Sequence, residues 1–383
     1  MANAKRNVLA LGLASFFNDM GSEMILPLLP LFIISTLGAP ATVLGLIEGV
    51  AGSTASLLML LSGALSDRLG KRKALVAAGY GLSAVTKPLF AAATAWPHVL
   101  AVRFADRVGK GVRDAPRDAL LAASIGKGVR GGAFGLRQAM DTSGAIVGTL
   151  LAAALLAMAF TYRQIFLFAF VPTAMAVLVV AFFAREVAHA PMKKMELPWK
   201  NRFGRQFGRF MAVVAVFNIA NFSYAFYLLR AQEAGLAIVL VPIIYLVYNV
   251  CYAATAYPAG RLSDRMGRKQ VIGAGYLLFA LTAAGFATLA DTSMLWPLFV
   301  LYGLQIALTD SVSRAFITDI VGEVKRGTAL GAYHMTVGLA ALPASIIAGF
   351  VWDAYGSAVT FGLAAGLALI AVLMLGTVGG KAG

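Results

Sequence analysis

Gly63-Ala-Leu-Ser-Asp67-Arg68-Leu-Gly70-Lys-Arg-Lys73 and Gly260-Arg-Leu-Ser-Asp264-Arg265-Met-Gly267-Arg-Lys269 are one phrase written twice in the chain. Each copy follows an apolar run and precedes another. A second echo pairs Arg130-Gly-Gly-Ala-Phe-Gly135 with Arg326-Gly-Thr-Ala-Leu-Gly331. The chain therefore reads as two homologous halves, and every further feature can be placed relative to the two copies.

The runs around the repeat are long. Of 383 residues, 60% are hydrophobic and 13% charged, and the mean hydropathy is +0.81. A soluble domain usually carries about 25% charged residues. Apolar runs of about 20 residues match a bilayer core of about 30 Å. The predicted spans are 8–36, 42–66, 74–95, 97–120, 132–158, 163–184, 209–230, 236–259, 270–290, 293–317, 328–351 and 355–378. The fold class is an all-α integral membrane protein, with twelve transmembrane helices in two six-helix bundles. Residues 1–184 form the first bundle, 185–208 a basic linker with Lys193, Lys194, Lys200, Arg202 and Arg205, and 209–383 the second.

The net charge of +15 suits a membrane protein better than a nucleic-acid partner. Lys71, Arg72, Lys73, Lys127, Arg130, Arg265, Arg268, Lys269, Lys325 and Arg326 fall on one set of loops, and the alternate loops are nearly bare, Arg163 and Arg230 apart. Cytoplasmic loops collect Lys and Arg, so both termini are expected in the cytoplasm of a cell whose inner membrane the chain spans. The first run is read as a span, without a cleavable signal peptide. A single cysteine, Cys251, and three scattered histidines leave no disulfide framework or metal cluster. No cofactor is expected; the expected partners are a small-molecule substrate, protons and the lipid bilayer, with the chain a monomer.

The doubled phrase resembles the loop 2–3 signature of the major facilitator superfamily. That resemblance implies a secondary transporter of alternating access, with its substrate site between halves. The gating residues would be Gly63, Asp67, Arg68, Gly70, Gly260, Asp264, Arg265 and Gly267: the first glycine of each copy for close helix contact, the aspartates to bind an arginine or a helix N-terminus. Arg103-Phe-Ala-Asp106-Arg107-Val-Gly109-Lys-Gly111 resembles the helix 4 motif whose arginine is tied to proton transfer in proton-coupled relatives. Here Asp106 and Arg107 stand where an amide and a glycine are common. Gly144-Ala-Ile-Val-Gly148 resembles half of the antiporter signature, with Thr149 in place of proline.

Ionisable residues inside spans are functional candidates by default, each costing about 2.5–3.5 kcal/mol at a helix centre. Seven basic residues (Lys87, Arg103, Arg107, Lys110, Arg113, Arg117, Arg137) face seven acids (Asp19, Glu23, Glu48, Asp106, Asp114, Asp118, Asp141) in the first half. Arg103, Arg107, Lys110, Asp114 and Arg117 follow helical spacing over about 21 Å, with Asp106, Arg113 and Asp118 flanking. Such a balance also suits a structural ion-pair network. Asp19, Glu23, Arg103 and Asp106 are the candidates for proton coupling. Arg107, Arg137 and Asp141 are substrate candidates from the first half. Asn218, Asn221, Tyr224, Tyr245, Asn249, Gln305 and His334 are those from the quieter second half. The reading is proton-coupled efflux of a small organic molecule. Proton-coupled uptake of an organic anion is the alternative, with transport of a metal ion or chelate, suggested by His334-Met335, behind both. A channel or receptor suits a doubled gate poorly, and no nucleophile–base pair points to an enzyme.

Overall fold

Eleven stretches among the described residues are long and apolar enough to cross a bilayer, and each lies on a helix. The computed structural model describes residues 2–69, 71–125, 130–187, 203–321 and 326–379, without the side chains at 2–5, 60, 63–65, 67–69, 130–131 and 326–327. The expected linker falls mostly outside these residues. In the first half, α1 covers Ala2–Ile25, α2 Ala41–Leu69, α3 Arg72–Ala92, α4 Trp96–Ser124, α5 Arg130–Ala157 and α6 Tyr162–Phe168 with Phe170–Phe183. In the second, α7 covers Arg205–Ala220 with Tyr224–Glu233, α8 Val241–Met266, α9 Arg268–Ala287, α10 Leu295–Val321, α11 Arg326–Tyr355 and α12 Ser357–Gly376. The twelfth helix, α4, is as long as the others but more heavily charged.

The breaks have local causes. After Ile25 the chain meets Pro27 and Pro30, which cannot donate backbone hydrogen bonds; it continues as the short helix Leu29–Leu31 and a π-turn at Phe32–Thr36. In α6, Pro172 removes the bond that would otherwise reach Phe168, and the helix splits at Ala169. In α7, Asn221 leaves the helical region at φ −88°, ψ 68°, and Ser223 caps the second piece by accepting from Ala225 N–H.

Four pairings recur in the two halves. In the first, α1 packs on α5 and α6, and α3 on α4 and α6. In the second, α7 packs on α11 and α12, and α9 on α10 and α12. The sequence repeat is thus also a repeat of packing. The core of the first half is aliphatic, with Leu11, Ala14, Val76, Leu120, Leu121 and Val180 around Tyr80. The second is aromatic: Phe217 stacks on Tyr276 at 3.8 Å, and Tyr227 meets Phe286 and Phe361 edge-on. Large apolar side chains cover the outside, Leu373 at 75% and Phe182 at 69% exposure among them, a surface suited to lipid and not to water.

The division into units crosses the expected 1–184 boundary once. One compact unit comprises Met1–Ala39 and Val50–Met195, the other Pro40–Gly49 and Glu196–Gly383. The start of α2 therefore belongs with the second-half helices. The reason is close packing: a Cβ at Gly45 would lie 2.0 Å from the Ser345 carbonyl oxygen, and one at Gly349 2.3 Å from that of Ala41.

Candidate transport site

Asp106, on α4, is the hub of the buried charges. Lys87 Nζ on α3 lies 3.0 Å from its Oδ1, and Arg107 Nη2 lies 3.1 Å from its Oδ2. Arg103 Nη1 is 4.0 Å from the same Oδ2, and the Thr86 hydroxyl donates to Oδ1 at 3.3 Å. Lys87 also donates to Ser22 Oγ of α1 at 3.3 Å. Lys87, Arg103 and Asp106 are 2%, 3% and 3% exposed. Charges so deeply buried persist only when paired, and one carboxylate here answers three cations. Arg107 Nε is buried with no hydrogen bond of its own among the described residues.

About two turns further along α4 a second network begins. Arg113 donates to Ser83 Oγ at 2.7 Å and lies 4.6 Å over the Tyr80 ring. Arg117 bonds Asp114 at 3.2 Å and Asp118 at 3.0 Å. Arg137 of α5 lies 3.9 Å from Asp118 and 3.5 Å from Asp141, its i,i+4 neighbour. Gln138 bridges the same pair, accepting from Arg137 at 2.8 Å and donating to Asp141 at 3.4 Å. Asp141 lies beside Asp19 of α1, whose Oδ1 accepts from Asn18 at 2.9 Å. The backbone explains this meeting. A Cβ at Gly144 or Gly148 would lie 2.1 Å from the carbonyl oxygen of Phe16 or Met20. These two glycines let α5 lie directly on α1, one turn beyond Asp141.

In the second-half bundle the polar groups are mostly used locally. Asn218 donates to Val214 O and Asn249 to Tyr245 O, each within its own helix. A run of tyrosines links Tyr224, Tyr245, Tyr248, Tyr302 and Tyr227, with successive ring centroids 4.2 to 5.3 Å apart. Gln305, one turn from Tyr302, is fully buried, and neither amide atom is hydrogen-bonded among the described residues; the same holds for the Tyr227 hydroxyl. His334 sits against Tyr333, rings 5.3 Å apart.

A sequence profile described as Major Facilitator Superfamily matches residues 11–248 and again 210–379. The chain belongs to this family. The transporter is 37% identical over 379 residues to an uncharacterized MFS-type transporter of Methanocaldococcus jannaschii, covering 97% of this chain and 94% of that protein. It is 24% identical to the multidrug resistance protein MdtH of Aeromonas hydrophila, covering 96% and 91%. The crystal structure of the nucleoside transporter NupG superposes with a TM-score of 0.82, covering 97% of this chain and 98% of that one. At 16% identity this likeness speaks for the fold alone.

Several expectations need correction in the transporter. The most deeply buried ionisable residues of α4 are Arg103, Asp106, Arg113 and Arg117, whereas Lys110, expected on the charged stripe, is exposed. The buried face of α4 is the one packed on α3, and it takes the charges that α3 can satisfy. Glu48, counted with the first-half charges, belongs to the second unit, where its Oε2 accepts from Ser223 at 3.1 Å. At the second copy of the gate phrase, Asp264 bonds Arg268 at 3.0 Å, and Arg268 also bonds Asp319 at 2.5 Å. The cation paired with Asp264 is Arg268; Arg265, expected among the gating residues, is exposed. Gly267 adopts φ +96° between α8 and α9, a glycine conformation. Nothing among the described residues lies within 4 Å of a Cβ at Gly260, so the close contact expected there is not made. In the first copy, Gly70 lies outside the described residues, as do Gly63, Asp67 and Arg68 beyond their backbone. Basic residues of both copies anchor the last helix of their half: Lys73 donates to Ala181 O and Lys269 to Gly376 O and Val378 O, where a cation suits helix-end carbonyls.

Proposed function

We propose that the chain is a secondary active transporter exporting a small organic molecule across the inner membrane in exchange for protons. Asp19 and Asp141 form the proton site. The observation that carries this reading is the placement of these two carboxyl groups beside each other where α5 packs on α1, since a proton held between them removes the repulsion of two like charges. Losing that proton leaves two like charges in contact, which pushes them apart. Arg137, 3.5 Å from Asp141, stands ready to take up the negative charge that results. Glu23, a turn from Asp19, and Arg103 belong to the same proton route. Asp106 serves as the ion-pair hub that holds α3 against α4.

The solute is bound by Arg107, Arg137 and groups of the second half, with Gln305, Asn221, Asn249, Tyr224, Tyr245 and His334 offering hydrogen bonds and aromatic faces. Residues 1–184 and 209–383 rock as two bundles about it, with the loop bearing Asp264 and Arg268 at the cytoplasmic end, both termini inside and the protein acting as a monomer. The export direction draws support from the likeness to MdtH, by name a multidrug resistance protein. A second reading, proton-coupled uptake of an organic anion, is favoured by the three cations gathered around the single carboxylate of Asp106.

The test uses purified protein in liposomes with an imposed pH gradient. A cationic dye and an aromatic carboxylate are followed in parallel. Wild-type protein should drive the dye against its gradient into the acidic compartment; Asp19→Asn and Asp141→Asn should each abolish that accumulation while leaving downhill exchange measurable. Full proton-driven accumulation in both variants would overturn the assignment. Accumulation of the carboxylate with protons, and not of the dye, would select the second reading.

A further inference from the structure

The chain ends α11 with two adjacent residues that point to different neighbours. Trp352 donates from its indole Nε1 to Glu233 Oε1 of α7 at 3.1 Å. Asp353 instead reaches the start of α2. Ala41 N–H donates to its Oδ1 at 2.9 Å, Thr42 N–H to its Oδ2 at 2.7 Å, and the Thr42 hydroxyl to the same Oδ2 at 2.6 Å. The first N–H groups of a helix lack partners within it and carry its positive end. A carboxylate supplied from another helix answers both needs.

Backbone packing continues the contact downward. Gly349 and Gly45 bring α11 and α2 together at the distances given above, and a Cβ at Gly49 would stand 3.0 Å from Leu342 Cα and O. The grouping changes there: Pro40–Gly49 belong with the second-half helices, and Val50 onward with the first. Further along α2, Ser62 donates to Gly111 O of α4 at 2.6 Å, so the rest of the helix is held by its own half. One unbroken helix is thus gripped at its beginning by one bundle and over the remainder by the other.

We propose that Asp353 is a latch: it holds the start of α2 on α11 while the transport site is closed on the α1–α2 loop side, and releases it for that side to open. This rests on the alternating-access reading. Rocking of the two halves requires Pro40–Gly49 to leave α11, and the three bonds to Asp353 break when it does, together with the bond from Ser223 to Glu48. Trp352 stays behind, because its partner Glu233 lies on α7 of the same half. The latch is one-sided. Counting from the paired Arg130 and Arg326, the place in the first half equivalent to Asp353 is Ala157, which has no carboxylate to offer.

The test reads opening without needing a solute. In a Cys251→Ser background, Ile47→Cys places a thiol at a fully buried position in the latched part of α2. An impermeant maleimide is applied from the α1–α2 loop side of proteoliposomes. Adding Asp353→Ala should raise the labelling rate at least tenfold. Asp353→Asn, which keeps one acceptor, should fall between. An unchanged rate in folded Asp353→Ala protein would overturn the latch. If that variant does not fold, Thr42→Cys with Asp353→Cys replaces it: oxidation should slow labelling at position 47 below the parent rate, reduction should restore it, and no change on oxidation overturns the proposal. Faster labelling in a protein that shows no proton-driven flux of any solute keeps the latch and rejects the exporter reading.

Discussion

Replacing Asp106 by Asn removes one charge and little volume from a site that is almost dry, so its effect follows from the distances. At 3.0 Å from Lys87 and 3.1 Å from Arg107, each pair is attracted by about 5 kcal/mol at an effective dielectric of 20. Most of that attraction offsets the several kcal/mol of desolvation each ion suffered on burial. The neutral amide forfeits the attraction but leaves Lys87, 2% exposed, as a charge without its partner. Removing one member of a buried pair costs about 3–5 kcal/mol. Thermal unfolding of purified protein in detergent, read by tryptophan fluorescence, should therefore show a large fall for Asp106→Asn. Adding Lys87→Met should recover at least half of it, because the orphaned charge is gone. Two results would refute the reasoning: a single variant that melts with the parent, or a double variant no more stable than the single.

Other outcomes follow from the same contacts. Gly144→Ala places a methyl group 2.1 Å from the Phe16 carbonyl oxygen, so α5 must move off α1; proton-driven flux in proteoliposomes should drop at least tenfold. The control Gly260→Ala meets nothing within 4 Å and should transport like the parent. Gln305→Leu replaces a fully buried amide without hydrogen bonds among the described residues, and should raise solute-free stability by about 1–3 kcal/mol while abolishing any solute-induced rise in melting temperature; a fall in solute-free stability would mean that the amide is already bonded. Arg268→Ala breaks the pairs with Asp264 and Asp319 at a partly exposed site. Stability should change by less than about 1 kcal/mol, so a marked loss of transport would point to gating and not to folding.

The twelve helices were legible because a bilayer crossing writes itself into twenty consecutive residues. The repeat was legible because it recurs in order. Which helix lies opposite which was not written in that way. The spacing on α4 gave a stripe through Arg107 and Lys110, yet the buried face runs through Asp106 and Arg113, because Lys87 and Ser83 on α3 set which charges can be satisfied. Asp19 and Asp141 were each visible as candidates, but their meeting depends on Gly144 and Gly148 lying against Phe16 and Met20, contacts far apart in the chain. Tyr227, Tyr248 and Tyr302 were not among the sequence candidates, and their ring contacts join them to Tyr224 and Tyr245. Asp353 sits past the last apolar turn of its span and reads as a loop charge until its partners are known. The spacing Gly45-x-x-x-Gly49 in α2, with Gly349 in α11, was the available signal.

The charge of α4 has a consequence for how the protein is made. Eleven helices can leave the insertion machinery for lipid on their own apolarity. The fourth cannot, since each ion near its centre opposes that step by about 2.5–3.5 kcal/mol. The counter-charge it needs has already been synthesised: Lys87 lies on α3, and the connection between the two helices is only the few residues from Ala93 to Ala95. Helix α4 is therefore expected to enter lipid with α3 at its side, as a hairpin zipped by Lys87 and Asp106. The ion pair at the heart of the finished transporter is then first of all a condition for its birth in the membrane.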